Sequence, residues 1–206
     1  SGYTSYPYLR GFGYDEPGSD PAVNPIPGLE VSFYAGGLGT ESDPYQIENW
    51  EHLHNIRQNL DAHFVLNNDL DENTAGYTTY VKDGSTLANG GKGWEPIGDV
   101  SNPFTGSFDG NYKTITGLTT NRTSENDVGL FGDIDSGVTV KNVGFLEVDI
   151  EGAMYVGGLI GDHSGEVINS YVLGSVSGSY FVGGLIGLTD PGSKVISSYG
   201  DVDVVG

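Results

Sequence analysis

Pairs of acidic residues two positions apart are the chemistry-bearing feature of this sequence, among them Asp69 and Asp71, Asp133 and Asp135, Glu147 and Asp149, and Asp201 and Asp203. In a β-strand, residues i and i+2 project from one face, so each pair sets two carboxylates side by side. Two such groups can share proton transfer at a glycosidic bond, or act as hard oxygen ligands for Ca2+. A third and plainer use is solvated surface, where charge runs ordinarily sit. Asp69 and Asp71, beside Asn67 and Asn68, form the densest oxygen cluster and are the candidate metal site, with calcium as the only cofactor raised. They lack the central glycine and closing glutamate of a calcium loop.

The other side chains narrow the chemistry. No cysteine is present, which removes disulfides, zinc thiolates and thiol catalysis. His52 and His54 are two apart on a predicted helix and diverge, while His63 and His163 stand alone. Lyases that open acidic polysaccharides by elimination need a basic residue and a basic groove, and the repeats offer only Lys113, Arg122, Lys141 and Lys194. No catalytic residue is assigned, and the chain reads as a non-enzyme. The enzyme alternative kept open is a carboxylate-dependent hydrolase of neutral sugars. Tyr77, Tyr80, Tyr171, Tyr180 and Tyr199 read either as sugar-stacking platforms or as packing between repeats. Asn121-Arg122-Thr123 is a glycosylation sequon in an expected loop.

The charge of −20, from 28 acidic and 8 basic side chains, repels phosphate backbones and argues against nucleic acid as a partner. No apolar run approaches the roughly 20 residues that span a bilayer, so no membrane insertion is expected.

The elements that position these residues come from an internal repeat. Val128-Gly129-Leu130-Phe131-Gly132 recurs as Val156-Gly157-Gly158-Leu159-Ile160-Gly161 and as Val182-Gly183-Gly184-Leu185-Ile186-Gly187. Downstream of each block Val140, Val167 and Val195 align, then Asn142, Asn169 and Ser197, then Ile150, Val176 and Val204. Short apolar strands punctuated by glycine cannot bury their own face; stacked as coils they form one continuous core. Asn142 and Asn169 are placed to form an amide ladder that Ser197 interrupts. Asn49 caps a helix whose Trp50, Leu53, Ile56 and Leu60 recur at helical spacing, predicting a lid over 49–60. His63–Leu66, Glu95–Ile97 and Phe104–Phe108 read as the first strands, and 72–92 as a surface insertion.

These blocks resemble the GLUG motif of bacterial and archaeal surface proteins, also found in immunoglobulin A peptidases. The likeness extends over 36–206, including the stretch from Gly36 to Asp71, Trp94–Gly98 and Phe104–Leu118. It implies an all-β fold, a right-handed parallel β-helix (β-solenoid), within large exported proteins, and carries no catalytic residues. The expected organisation is therefore an extended proline-rich arm over 1–35 and a solenoid over 36–206, with repeat coils from 128 onward. The expected function is a structural or adhesive module at the cell surface or secreted, with a glycan-binding module as a further alternative. Tyr6, Pro7, Tyr8 and Leu9 resemble the stretch with which such repeat regions finish. They are expected to serve assembly, either head to tail between subunits or with neighbouring repeats of one chain.

Overall fold

The computed structural model describes residues 33–82, 84 and 89–206, and Phe33–Gly206 form one compact unit. It is a parallel β-solenoid of about four turns. The assembly residues Tyr6, Pro7, Tyr8 and Leu9 lie outside the described residues.

Successive coils build three parallel sheets from short strands, the long one running through the whole stack and the other two through its later coils. The long sheet orders β1 (Tyr45–Ile47), β2 (His63–Leu66), β3 (Ser107–Thr116), β6 (Thr139–Glu151), β10 (Tyr171–Ser177) and β14 (Tyr199–Val205). Beside it β4 (Thr119–Asn121) and β9 (Glu166–Ile168) pair β6, and β13 (Lys194–Ile196) pairs β9. The second sheet joins β7 (Met154–Gly157) to β11 (Tyr180–Gly183); the third orders β5 (Phe131–Ile134), β8 (Ile160–His163) and β12 (Ile186–Thr189).

Because the pairing is parallel and in register, like residues stack in columns along the axis. Phe64, Phe108, Val140, Val167 and Val195 form one inward column, and Ile97, Phe131, Ile160 and Ile186 another. Apolar side chains one strand spacing apart, about 4.8 Å, stay in contact over the whole stack, and this burial is what holds the fold together. The glycines of the repeat make room for it. A β-carbon on Gly157 would lie 2.1 Å from the Ile160 carbonyl oxygen, and one on Gly144 would lie 2.5 Å from the Tyr171 ring.

Two turn columns use the left-handed region without glycine. Asn142, Asn169 and Ser197 have φ of 55°, 49° and 49°, as do Asp127, Tyr155 and Phe181 at 57°, 56° and 54°. Asparagine suits the first column because it tolerates this conformation and bonds along the stack. Asn169 donates to Asn142 Oδ1 (3.3 Å), and Asn142 donates to Asp109 Oδ1 (3.0 Å). In the second column the rings of Tyr155 and Phe181, tilted at 31° with centroids 5.2 Å apart, accompany the strain.

The lid is α1 (Trp50–Asn55), followed by a 3-10 turn at Ile56–Gln58. Asn49 Oδ1 accepts the His52 N–H at 2.9 Å, and Trp50, Leu53 and Ile56 are buried. Two expectations are corrected. Residues 72–92 are not only surface: α2 (Tyr77–Tyr80) packs Tyr77 on Trp50, and Val81 is fully buried. Asn121 is not in a loop but closes β4, opposite Glu151 of β6, because the β-branched Thr119-Thr120 beside a long strand gains its ladder bonds. Its side chain is exposed.

Candidate functional site

Neighbouring coils concentrate charge in two places. The first is the column Asp133, Asp162 and Leu188 on the third sheet. Strand spacing holds the two carboxylates one rung apart, so each disfavours the ionised form of the other. Asp133 is pushed up to about 6, first by burial and then by Asp162, Asp127, Asp135 and Asp190. Burial also raises Asp162, with Asp190 adding to it, and raises Asp127, with Asp162 and Asp99 adding. The Oδ1 of Asp162 is buried with no hydrogen-bond partner. Chemically, a carboxyl with a pKa near 6 beside a second carboxyl is suited to donate a proton near neutrality.

The second is a cleft of about 480 Å³ whose lining includes Arg57, Glu95, Asp99, Arg122, Glu125 and Asp127. Arg57 lies under the lid with its guanidinium 4.5 Å from the centre of the Trp94 ring, and its Nη1 donates to the His54 carbonyl at 2.8 Å. Its Nε is 3.8 Å from Glu95 Oε2, and Nε and Nη2 are buried without hydrogen-bond partners. Burial lowers Arg57 to about 10, against the opposing pull of Glu95. Arg122 donates from Nε to the Trp94 carbonyl (2.7 Å) and from Nη1 to Glu125 (2.5 Å), which also takes Lys92 at 2.6 Å. Burial pushes Glu125 up, but these two cations outweigh it and hold the carboxyl below its usual range. Burial and Arg57 hold His54 down to about 4, so it stays neutral beneath Tyr80.

The predicted calcium pair is placed differently. Asp69 Oδ1 accepts the Thr114 N–H (2.7 Å) and hydroxyl (3.2 Å). Asp71 Oδ1 accepts the Asn73 N–H and the Thr74 hydroxyl, both at 2.9 Å, and the Thr74 bond keeps its carboxyl low. Asn67 and Asn68 donate to Gln46 and Glu48. The four side chains thus go to different partners, and among the described residues no group of three or more His, Asp or Glu is arranged to hold a metal ion.

Glu147, Asp149, Asp201 and Asp203 are exposed. Lys141 and Lys194 reach back one coil to Asp109 and Glu166, their register partners. Of the five tyrosines, Tyr77 and Tyr80 pack in the lid region, and Tyr171 stacks on Tyr199 at 5.7 Å and 13°. Tyr180 is exposed. Sequence reasoning missed the Asp133/Asp162 column, whose signal was the acidic residue following the block glycine at Gly132 and again at Gly161. It also missed His163, which points into the core column of Phe104, Ile134 and Thr189 with neither ring nitrogen hydrogen-bonded.

This architecture is that of a repeat β-solenoid with an acidic flank, and comparison with known proteins gives its relatives. No family model matches the chain. A protein of Evansella cellulosilytica described as a Gly-rich membrane protein is 41% identical over 145 residues, 68% of this chain and 16% of that protein. Halomucin of Haloquadratum walsbyi is 33% identical over 180 residues, 82% of this chain and 2% of its own length. The chain therefore spans a small part of each relative it matches. Among solved structures, one from Bacteroides ovatus described as an immunoglobulin A1 protease superposes with a TM-score of 0.44 at 20% identity, over 84% of this chain and 70% of that one. No helix among the described residues is long and apolar enough to cross a membrane.

Proposed function

We propose that this chain is a structural repeat module of a large cell-surface protein, of the GLUG-repeat kind, in which stacking of coils is the principal biochemical act. The observation that carries this reading is how its polar residues are used. The asparagine ladder, the Tyr171–Tyr199 stack and the Lys141–Asp109 and Lys194–Glu166 pairs all run from one coil to the next. Such residues in a binding or catalytic solenoid would instead converge on an open groove. The much longer relatives, a Gly-rich membrane protein and a halomucin, support a place at the cell surface. The acidic flank suits such a setting, since like charge keeps a surface hydrated and disfavours nonspecific aggregation.

A second reading rests on Asp133. A carboxyl held near 6 beside Asp162 is what an acid-base pair for glycoside cleavage requires. A screen of the chain against neutral and acidic polysaccharides separates the two. The structural reading predicts no turnover above a blank. Turnover that disappears in Asp133→Asn would overturn it, and saturable glycan binding without turnover would make the chain a binding module instead.

A further inference from the structure

The cleft beside the lid gathers polar groups that the stacking of coils does not use. Its volume of about 480 Å³ lies within the range of small-molecule sites, about 300–1,000 Å³. Leu60 and Pro96 give its lining an apolar part, and the charged lining divides into two groups.

The first group is a pair of guanidiniums anchored on the fully buried Trp94. Arg57 lies 4.5 Å from the centre of the Trp94 ring, and Arg122 donates from Nε to the Trp94 carbonyl at 2.7 Å. Arg122 is only 6% exposed, and its Nη1 goes to Glu125. Its Nη2 makes no hydrogen bond among the described residues and is not enclosed by protein, so a buried cation keeps one donor for the cleft it lines. Arg57 adds charge rather than a bond, because its Nε and Nη2 are buried. Burial lowers Arg57 first, Glu95 opposes, and Arg122 lowers it further, so the two cations are near enough to repel each other. A carboxylate at Arg122 Nη2 relieves that repulsion and suits the planar donor.

The second group is acidic. The side chains of Asn102, Asn126 and Asp127 line the cleft and make no hydrogen bond among the described residues. Burial raises the Asp127 carboxyl, and Asp162 and Asp99, of the same sign, raise it further. Among the described residues no basic side chain forms an ion pair with it. Asp99 is fixed by its own turn, Oδ1 accepting the Ser101 and Asn102 N–H at 2.8 and 3.0 Å. A positively charged donor is what this group lacks.

Together the two groups select the ligand. The chain carries a charge of −20, which repels a simple anion before it reaches the guanidiniums. A simple cation satisfies Asp127 but brings no acceptor for Arg122. A molecule with a carboxylate and an ammonium a few bonds apart meets both groups and has no net charge to be repelled.

We propose that this cleft binds a small zwitterion, an α-amino acid with an apolar side chain, its carboxylate on Arg122 within the field of Arg57 and its ammonium on Asp127 and Asp99. The inference goes beyond the structural role proposed above and does not depend on it. Turnover of a polysaccharide would sink that role and leave this site standing.

The test follows amide chemical shifts of the 15N-labelled full chain during titration with L-leucine. Its two single-charge analogues, 4-methylpentanoate and 3-methylbutylamine, are titrated in parallel. The expected result is saturable shifts at residues 98–102 and 122–127, with leucine about tenfold tighter than either analogue, roughly the worth of one charge-assisted hydrogen bond. No saturable shift, shifts confined to other parts of the chain, or equal affinity for all three overturns the proposal. Asp127→Asn removes the charge with a residue that tolerates the φ of 57° found there. It must weaken leucine about tenfold and leave 4-methylpentanoate unchanged; equal loss of both, or loss of neither, also overturns it.

Discussion

Replacing His163 with leucine should stabilise this protein. The imidazole is fully buried in the column Phe104, Ile134, His163 and Thr189, and neither Nδ1 nor Nε2 has a hydrogen-bond partner. A neutral histidine carries one N–H donor and one acceptor nitrogen, and a buried polar group left unsatisfied costs about 1–3 kcal/mol. Leucine has similar volume, no polar atom and an isoleucine as its rung neighbour. Repacking a flat ring into a branched chain costs about 1 kcal/mol, so the expected net gain at pH 7 is centred on about 1 kcal/mol, or roughly 2–4 °C in Tm for a domain of this size.

The sign of the pH dependence follows from burial, which lowers the pKa of His163 against a weaker opposing effect of Asp190. The unfolded chain takes up a proton below about 6.5 that the folded chain refuses. Stability linked to the neutral ring is full above that pH and is lost as pH falls below it, so the advantage of leucine widens at pH 5. Guanidinium unfolding at pH 7 and pH 5, read by fluorescence of the buried Trp50 and Trp94, measures both. A leucine variant less stable than the parent at pH 7, or an advantage that does not grow at pH 5, would show that the ring nitrogens are satisfied and refute the reasoning.

Asp133→Asn should stabilise at pH 7 and low salt. A pKa near 6 means that the folded state holds a proton the unfolded chain releases, so stability rises as pH falls through 6 and ionised Asp133 opposes folding above it. The shift of about two pH units corresponds to about 3 kcal/mol, which solvent screening of this half-buried group reduces to about 1 kcal/mol. Thermal melts should show that gain shrinking at pH 5 and in 1 M NaCl, where screening is shorter than one rung. Asn169→Ala should cost about 1–2 kcal/mol in chemical unfolding, from the left-handed turn and the bond to Asn142 together. Gly157→Ala, whose β-carbon meets the Ile160 carbonyl and the Ile186–Gly187 backbone, should reduce the soluble folded yield sharply and lower Tm by more than 5 °C.

The coils were legible in the sequence because a register error of one residue would turn every inward valine outward, which leaves a strict alignment behind. Val140, Val167 and Val195 stack as their alignment predicts, and Asn142 bonds Asn169. The lid was legible from Asn49 and the spacing of Trp50, Leu53 and Ile56. The charged site was less so. Pairing acids two apart along the chain put Asp133 with Asp135, whereas the residue facing it across the rung is Asp162, 29 positions away. His163 stood alone for the same reason: its neighbours belong to other coils. Residues 72–92 were read as surface because no periodicity marks them, while their burial depends on a single packed turn against Trp50 and on Val81.

Coil-to-coil register makes the upper and lower faces of a repeat complementary to each other. Contacts recur at sequence separations of 27 and 28 residues, as in the bonds from Asn169 to Asn142 and from Ser170 to Ser198. A duplicated segment of that length meets its parent through a surface that already fits, so a new coil arrives with its interface made. Loss of a coil likewise brings together two faces that match. The length of such a protein can therefore drift over generations in steps of one strand spacing, about 4.8 Å, while its cross-section and the chemistry of its flank are inherited unchanged.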